Sequence, residues 1–157
     1  MKAWIAIANV FGCATLQLGL ARLFISLPGN IFAADTRPFR ELRSEVAFYR
    51  HILRIRTWKK KLPDGASWVG GKFSKQRMHS LNAAYLRHFV IETRRGESAH
   101  WVAILCAPVF YLWNPAWACW VITLYLMASN LPCIVAQRYN RFAIEKIISY
   151  RLQRREP

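Results

Sequence analysis

Between residues 92 and 101 the chain reads ETRRGESAHW, and its side chains could do acid–base work. Glu97 and His100 are three apart, and His88 and Glu92 are four apart. On a helix each pair shares a face. A carboxylate beside an imidazole can orient the ring, fix its tautomer and raise its basicity. A neutral imidazole so held can take a proton from an alcohol. Two other readings use the same residues. Glu92 and Glu97 can pair with Arg87, Arg94 or Arg95, since ion-pair networks mimic active sites. His88, Glu92, Glu97 and His100 can also be taken as metal ligands, although their spacing fits no strong metal motif.

A second polar set stands at 130–141, NLPCIVAQRYNR. Asn130 lies inside an apolar run that Pro132 should bend. Gln137, Arg138, Asn140 and Arg141 crowd the end of that run. Arginine grips phosphate or pyrophosphate through two parallel hydrogen bonds. The same two arginines also serve as ordinary charged flanks of a membrane helix. WKKK at 58–61 offers Trp58 and Lys59 to a phosphorylated ligand, or its lysines to anionic lipid.

What must position these groups is read from hydropathy and charge. The chain has 157 residues, 54% of them hydrophobic, with a formal net charge of +15. Apolar and strongly basic together describe a membrane protein with basic aqueous segments. Nucleic acid is not the expected partner, because long apolar runs separate the bases. The four cysteines, Cys13, Cys106, Cys119 and Cys133, sit in apolar stretches without zinc-site spacing and read as small buried hydrophobes.

The expected fold is all-α, with about three transmembrane helices and amphipathic cytoplasmic helices. Residues 3–21 are long enough for one crossing. A leader peptide with its site near IFAADT (31–36) is the alternative, but Lys2 is a poor basic region and the apolar run is long. Residues 98–137 hold no Asp, Glu, Lys or Arg. They divide at Asn114-Pro115 into a hairpin, because Pro cannot continue a helix and Asn-Pro initiates turns. The first arm, 98–113, is short and either crosses or re-enters. Residues 35–97 carry 15 Lys/Arg against 6 Asp/Glu, and 138–157 carry 6 against 2. Both regions should face the cytoplasm, with the 114–115 turn outside. The whole chain is expected to form one membrane domain, with 36–97 a basic amphipathic segment and 138–157 a basic tail. In the former, Phe39, Leu42, Val46, Tyr49 and Leu53 repeat at helical spacing, with Arg40, Arg43, Arg50 and Arg54 on other faces. The segment 62–71 reads as a loop. Met78, Leu81, Tyr85 and Phe89 form a further stripe that ends on Glu92. Three helices bury little surface, so self-association is plausible.

WKKKLPDG at 58–65, ETRRGESAHW at 92–101 and NLPCIVAQRYNR at 130–141, in this order, resemble the glycosyl-4,4'-diaponeurosporenoate acyltransferase family. These are small bacterial membrane enzymes of carotenoid biosynthesis. The resemblance spans roughly residues 45–141, and the chain departs from the pattern at Phe142-Ala143-Ile144. It implies transfer of a fatty acyl group from a thioester, acyl-CoA being the expected donor, to a hydroxyl of a glycosylated membrane lipid. No other cofactor is implied. On that reading His100 is the base, Glu97 or Glu92 orients it, and Arg138 or Asn140 steadies the oxyanion. Arg94, Arg95, Asn130, Gln137, Arg141, Trp58 and Lys59 complete the substrate-binding candidates. The HxxxxD motif of other acyltransferases is absent.

Overall fold

A computed structural model describes residues 3–42, 44–63, 65–71, 73 and 78–154. Among them there is no strand, and three long helices carry the architecture: α1 (Ala3–Ser26), α5 (Ala83–Leu105) and α6 (Ala116–Gln153). Three short helices, α2 (Glu45–His51), α3 (Ile55–Trp58) and α4 (Gly65–Trp68), fill the stretch between α1 and α5.

α5 and α6 form an antiparallel hairpin, and α1 packs along α5. α5 starts where Asn82 caps it, its side chain accepting the amide of Ala84 at 2.9 Å. The helix therefore begins well before the uncharged run does. It ends at Cys106, where Pro108 lies in a 3-10 run, Ala107–Leu112. The arm 98–113 is thus the outer part of a charged helix plus this run. Among the described residues, α1 and α6 are the two helices long and apolar enough to cross a membrane. At the far end, α6 does not stop at the charged boundary. It runs through Pro132 and on to Gln153, so residues 138–153 continue the hairpin rather than trail as a tail.

Three apolar clusters line up along α6. Ile122 and Leu126 pack with Cys13 and Phe110 at the Asn114 end. Ala136 and Tyr139 pack with Tyr49 and Ile55. Ile144 closes on Leu86, Phe89 and Val90 at the opposite end. Met78 and Leu81, expected on the last of these faces, precede α5 and are exposed.

The continuous amphipathic helix expected from residue 36 onward is replaced by shorter pieces. Ser44 (φ 66°) and Arg54 (φ 46°) take left-handed conformations that break it, each at a cost of about 1–2 kcal/mol. Burial explains the break: Glu45 is drawn into the interior by Arg138, at 2.9 Å. Within the loop expected at 62–71 a single helical turn forms, followed by Gly70 at φ 88°, which glycine adopts without penalty. Lys2, Arg43 and Asp64 lie outside the described residues.

Candidate active site

α1, α5 and α6 enclose an elongated cavity of about 1120 Å³. The faces that line it follow helical spacing. α5 gives Glu92, Arg95, Gly96, Ala99, His100 and Ala103; α6 gives Tyr125, Ser129, Asn130, Cys133, Gln137 and Asn140. Gln17, Leu18, Ala21 and Phe24 of α1 form the third wall, and Lys59 and Lys60 stand at the Asn140 end. Asn130 and Asn140 are ten residues apart, about 15 Å along the helix axis. Near Ala103 and Leu18 the wall is apolar apart from the Gln17–Tyr125 hydrogen bond at 3.3 Å, and toward Asn140 amides and lysines stand beside Leu62, Trp68 and Phe73.

His100 Nδ1 lies 2.8 Å from Asn130 Oδ1. The Asn130 amide is itself held: Nδ2 donates to the Leu126 carbonyl at 2.8 Å and to Ser129 Oγ at 3.1 Å. A carbonyl can only accept, so this bond fixes which end of the amide is nitrogen. Oδ1 is then left to accept, and the neutral ring must carry its proton on Nδ1. The lone pair falls on Nε2, which is the arrangement a general base needs. Asn130 is 1% exposed, so water cannot readily substitute for it.

Glu97 does not take the role its spacing offered. Its two oxygens accept from Arg138 Nη1 at 2.8 Å and Arg141 Nη1 at 2.6 Å. Nor is Arg138 available to an oxyanion. Its five N–H donors reach Glu45 twice, Glu97, and the carbonyls of Pro38 and Arg40, and a guanidinium has no others. Arg141 is wholly buried beside the Phe39 and Phe142 rings. Arg94 clamps the Ala33 and Ala34 carbonyls at 2.9 and 3.0 Å and pairs with Asp35 and Glu145. None of Arg94, Glu97, Arg138 and Arg141 lines the cavity. They form an internal ion-pair network that joins the 33–45 segment to the hairpin. Trp58 also stands apart, donating to the Leu53 carbonyl at 2.7 Å and lining a separate shallow pocket.

The remaining candidates do meet. Glu92 is paired with Arg95, whose Nη2 also holds the Leu27 carbonyl at 3.1 Å. His88 Nε2 is 3.9 Å from Glu92. Since Glu97 faces the arginines and His100 faces Asn130, the four metal candidates are not gathered, and no cluster of that kind exists among the described residues. Lys59 Nζ donates to Asn140 Oδ1 at 2.7 Å. Burial in the wall lowers its pKa from the ordinary lysine value. Gln17, Ser129 and Tyr125 were not singled out from sequence. Gln17 had a signal: it is a polar side chain inside an apolar span, which marks a cavity or a partner helix.

Residues 30–150 match the protein-family model described as glycosyl-4,4'-diaponeurosporenoate acyltransferase. A protein of that name from Staphylococcus haemolyticus (strain JCSC1435) is 26% identical over 144 residues, 90% of this chain and 84% of the relative. One from Staphylococcus aureus (strain bovine RF122 / ET3-1) is 28% identical over 135 residues, covering 85% and 81%. No solved structure matches. The matched span contains His100, Asn130 and the whole arginine network, and the chain, an acyltransferase, belongs to the glycosyl-4,4'-diaponeurosporenoate acyltransferase family.

Proposed function

We propose that the protein is an integral membrane acyltransferase. It moves a fatty acyl group from a thioester, acyl-CoA being the donor expected, to a hydroxyl of a glycosylated lipid such as a glycosyl carotenoid. The observation that carries this is the His100–Asn130 pair in the wall of a cavity lined by both apolar and polar side chains. An amphiphilic acceptor needs walls of both kinds. The substrate named for the staphylococcal relatives is such a molecule.

The step is direct transfer. His100 Nε2 takes the hydroxyl proton as the oxygen attacks the thioester carbonyl. The C–O bond forms, the C–S bond breaks, and the imidazolium returns its proton to the departing thiolate. Lys59 and Lys60 are placed to attract a phosphorylated donor at the cavity end, and Asn140 holds Lys59 there.

Membrane residence is supported by exposure. Trp4, Ile7, Val10 and Phe11 of α1, and Trp117, Trp120, Val121 and Leu124 of α6, are exposed. Large apolar side chains exposed along a helix in this number are normally covered by lipid or a partner. Asn9 of α1 bonds Asn114 at 2.7 Å, so the start of α1 and the uncharged turn share one end. By the positive-inside rule that end lies outside and the basic end is cytoplasmic.

Membranes containing the protein are given a long-chain acyl-CoA and a glycosyl lipid, and ester formation is followed. His100→Ala should lower turnover by about 100-fold or more, with the protein still folded. Wild-type rates in that variant would remove His100 as the base.

A further inference from the structure

α1 and α6 border the cavity without closing on one another. α1 packs along α5, and among the described residues it has no comparable packing along α6. Ala14, Leu18 and Ala21 of α1 recur at spacings of three and four, as do Tyr125, Ser129 and Cys133 of α6, so each set lies on one helix face. Both faces line the cavity, and none of the six residues is buried. Leu18 is 40% exposed and Tyr125 49%. Two helices packed together would bury such a seam. Among the described residues one hydrogen bond joins α1 to α6 directly: Gln17 Nε2 donates to the Tyr125 hydroxyl at 3.3 Å.

The cavity has little depth beyond that bond. Toward the Asn114 turn it reaches Ala14 and Tyr125. There the buried side chains of Cys13, Phe110, Ile122 and Leu126 pack together and stop it. From Asn130, which holds His100, to Tyr125 the helix rises about 7.5 Å. One lipid chain reaches about 15 Å, half of a bilayer's hydrocarbon core. A chain that runs from His100 toward this end therefore cannot finish inside. The other end carries Lys59 and Lys60, whose charges a hydrocarbon chain would desolvate at a cost.

We infer that the seam between α1 and α6 is a lateral portal, through which the apolar chain of the acceptor lipid passes into the bilayer while its sugar stays at His100. The Gln17–Tyr125 bond is a strap across it. This rests on the acyl-acceptor and membrane readings given above. The acceptor is the occupant because it resides in the bilayer before and after transfer, so only its headgroup has to enter. The thioester carries a charged, water-soluble head, which suits the lysine end. Val121, one turn before Tyr125 on the same face, is exposed, so the portal opens onto the lipid-facing surface of α6. Parting the helices there breaks one neutral hydrogen bond, which is modest in net worth.

The test uses the whole chain in membranes, a long-chain acyl-CoA, and two acceptors, dodecyl glucoside and ethyl glucoside. Gln17→Cys and Tyr125→Cys are introduced together after the four native cysteines are replaced by alanine. A bifunctional methanethiosulfonate reagent then bridges the two positions. Bridging should lower turnover of dodecyl glucoside by about tenfold or more, as loss of the attack position does, and that of ethyl glucoside by less than about twofold. A reductant should restore the dodecyl rate. Equal loss with both acceptors overturns the inference. So does a block that follows the length of the acyl-CoA chain instead, which would seat the donor in the seam. A second measurement needs no variant. Dodecyl glucoside with a mid-chain diazirine, photolysed on the wild type, should label Leu18 and Tyr125, and excess dodecyl glucoside should suppress that label. Failure to suppress it overturns the inference even where the cysteine variant does not fold. If the wild type esterifies neither glucoside, the functional reading falls and this one with it. If it esterifies both and bridging changes neither rate, only the inference falls.

Discussion

At the scale of single residues, the chemistry depends on which nitrogen of His100 carries the proton, and a chain of three groups decides it. The Leu126 carbonyl orients the Asn130 amide, and the amide orients the ring. Asn130 is a positioning residue here, since it acts through His100. Asn130→Ala should lower kcat by about 10- to 100-fold, within the share that a well-placed general base contributes, while leaving the KM for acyl-CoA nearly unchanged. Asn130→Asp keeps an acceptor at Nδ1 and should recover part of the loss. A structural role alone would not move the ring tautomer, so ¹⁵N spectra of labelled His100 give the discriminating reading. The wild type should show a lone pair on Nε2, and Asn130→Ala a mixture. An unchanged spectrum in Asn130→Ala would break the link.

At the scale of elements, the 33–45 segment is held to the hairpin by charge rather than by an apolar face. Glu45 and Glu97 alternate with Arg138 and Arg141 in a buried chain. Burial by itself would raise the Glu45 pKa. Hydrogen bonds from Arg138, the Tyr49 hydroxyl and the Leu42 amide outweigh it and leave the pKa lowered. A lowered carboxyl contributes stability that is present above its unfolded value and lost as pH falls through the folded one. The contribution of Glu45 should therefore be complete at neutral pH and begin to fall below about pH 4.5, the ordinary value for the group, as pH drops toward the lowered folded value. Glu45→Gln should destabilise the protein by about 3 kcal/mol at pH 7, because it leaves the Arg138 charge buried and under-compensated. It should also flatten the acid limb of the unfolding curve. Thermal unfolding in detergent at pH 7 and at pH 3 reads both. Equal losses at the two pH values would show that the ion pair is not what Glu45 supplies. This network is also where the sequence is hardest to read. Arg138 and Arg141 flank an apolar run just as membrane-flanking charges do. Nothing local reveals that Glu45, 93 positions away, folds back onto Arg138.

At the scale of the whole molecule, what is local in origin was legible: the all-α class, the apolar length of α1, and the Asn114-Pro115 turn all follow from hydropathy and backbone chemistry. His100 and Asn130 stood out for the same reason, as polar side chains at or inside an apolar run. Their contact did not, because it depends on the register of two helices 30 residues apart. The wall supplied by α1 is a further case, and it carries a consequence. The family match begins at residue 30, beyond α1, yet Gln17, Leu18, Ala21 and Phe24 close one side of the cavity. α1 is tied at both ends. Asn9 and Asn114 exchange amide hydrogen bonds at 2.7 and 3.0 Å, and Trp113 Nε1 donates to Asn9 at 2.9 Å. At the other end Arg95 holds the Leu27 carbonyl. A chain starting at residue 28 keeps α5, α6 and the arginine network but opens the cavity along its length. Acyl transfer should then fall by about 100-fold or more, the typical effect of losing the positioning of reacting groups. Supplying residues 1–27 as a separate membrane peptide should restore part of it, because helices can associate within a bilayer without a covalent link. Asn9→Leu should have an intermediate effect by freeing one end alone. Full activity in the shortened chain would mean that α1 is an anchor and not a wall. The substrate would then have to be held by the α5–α6 hairpin alone.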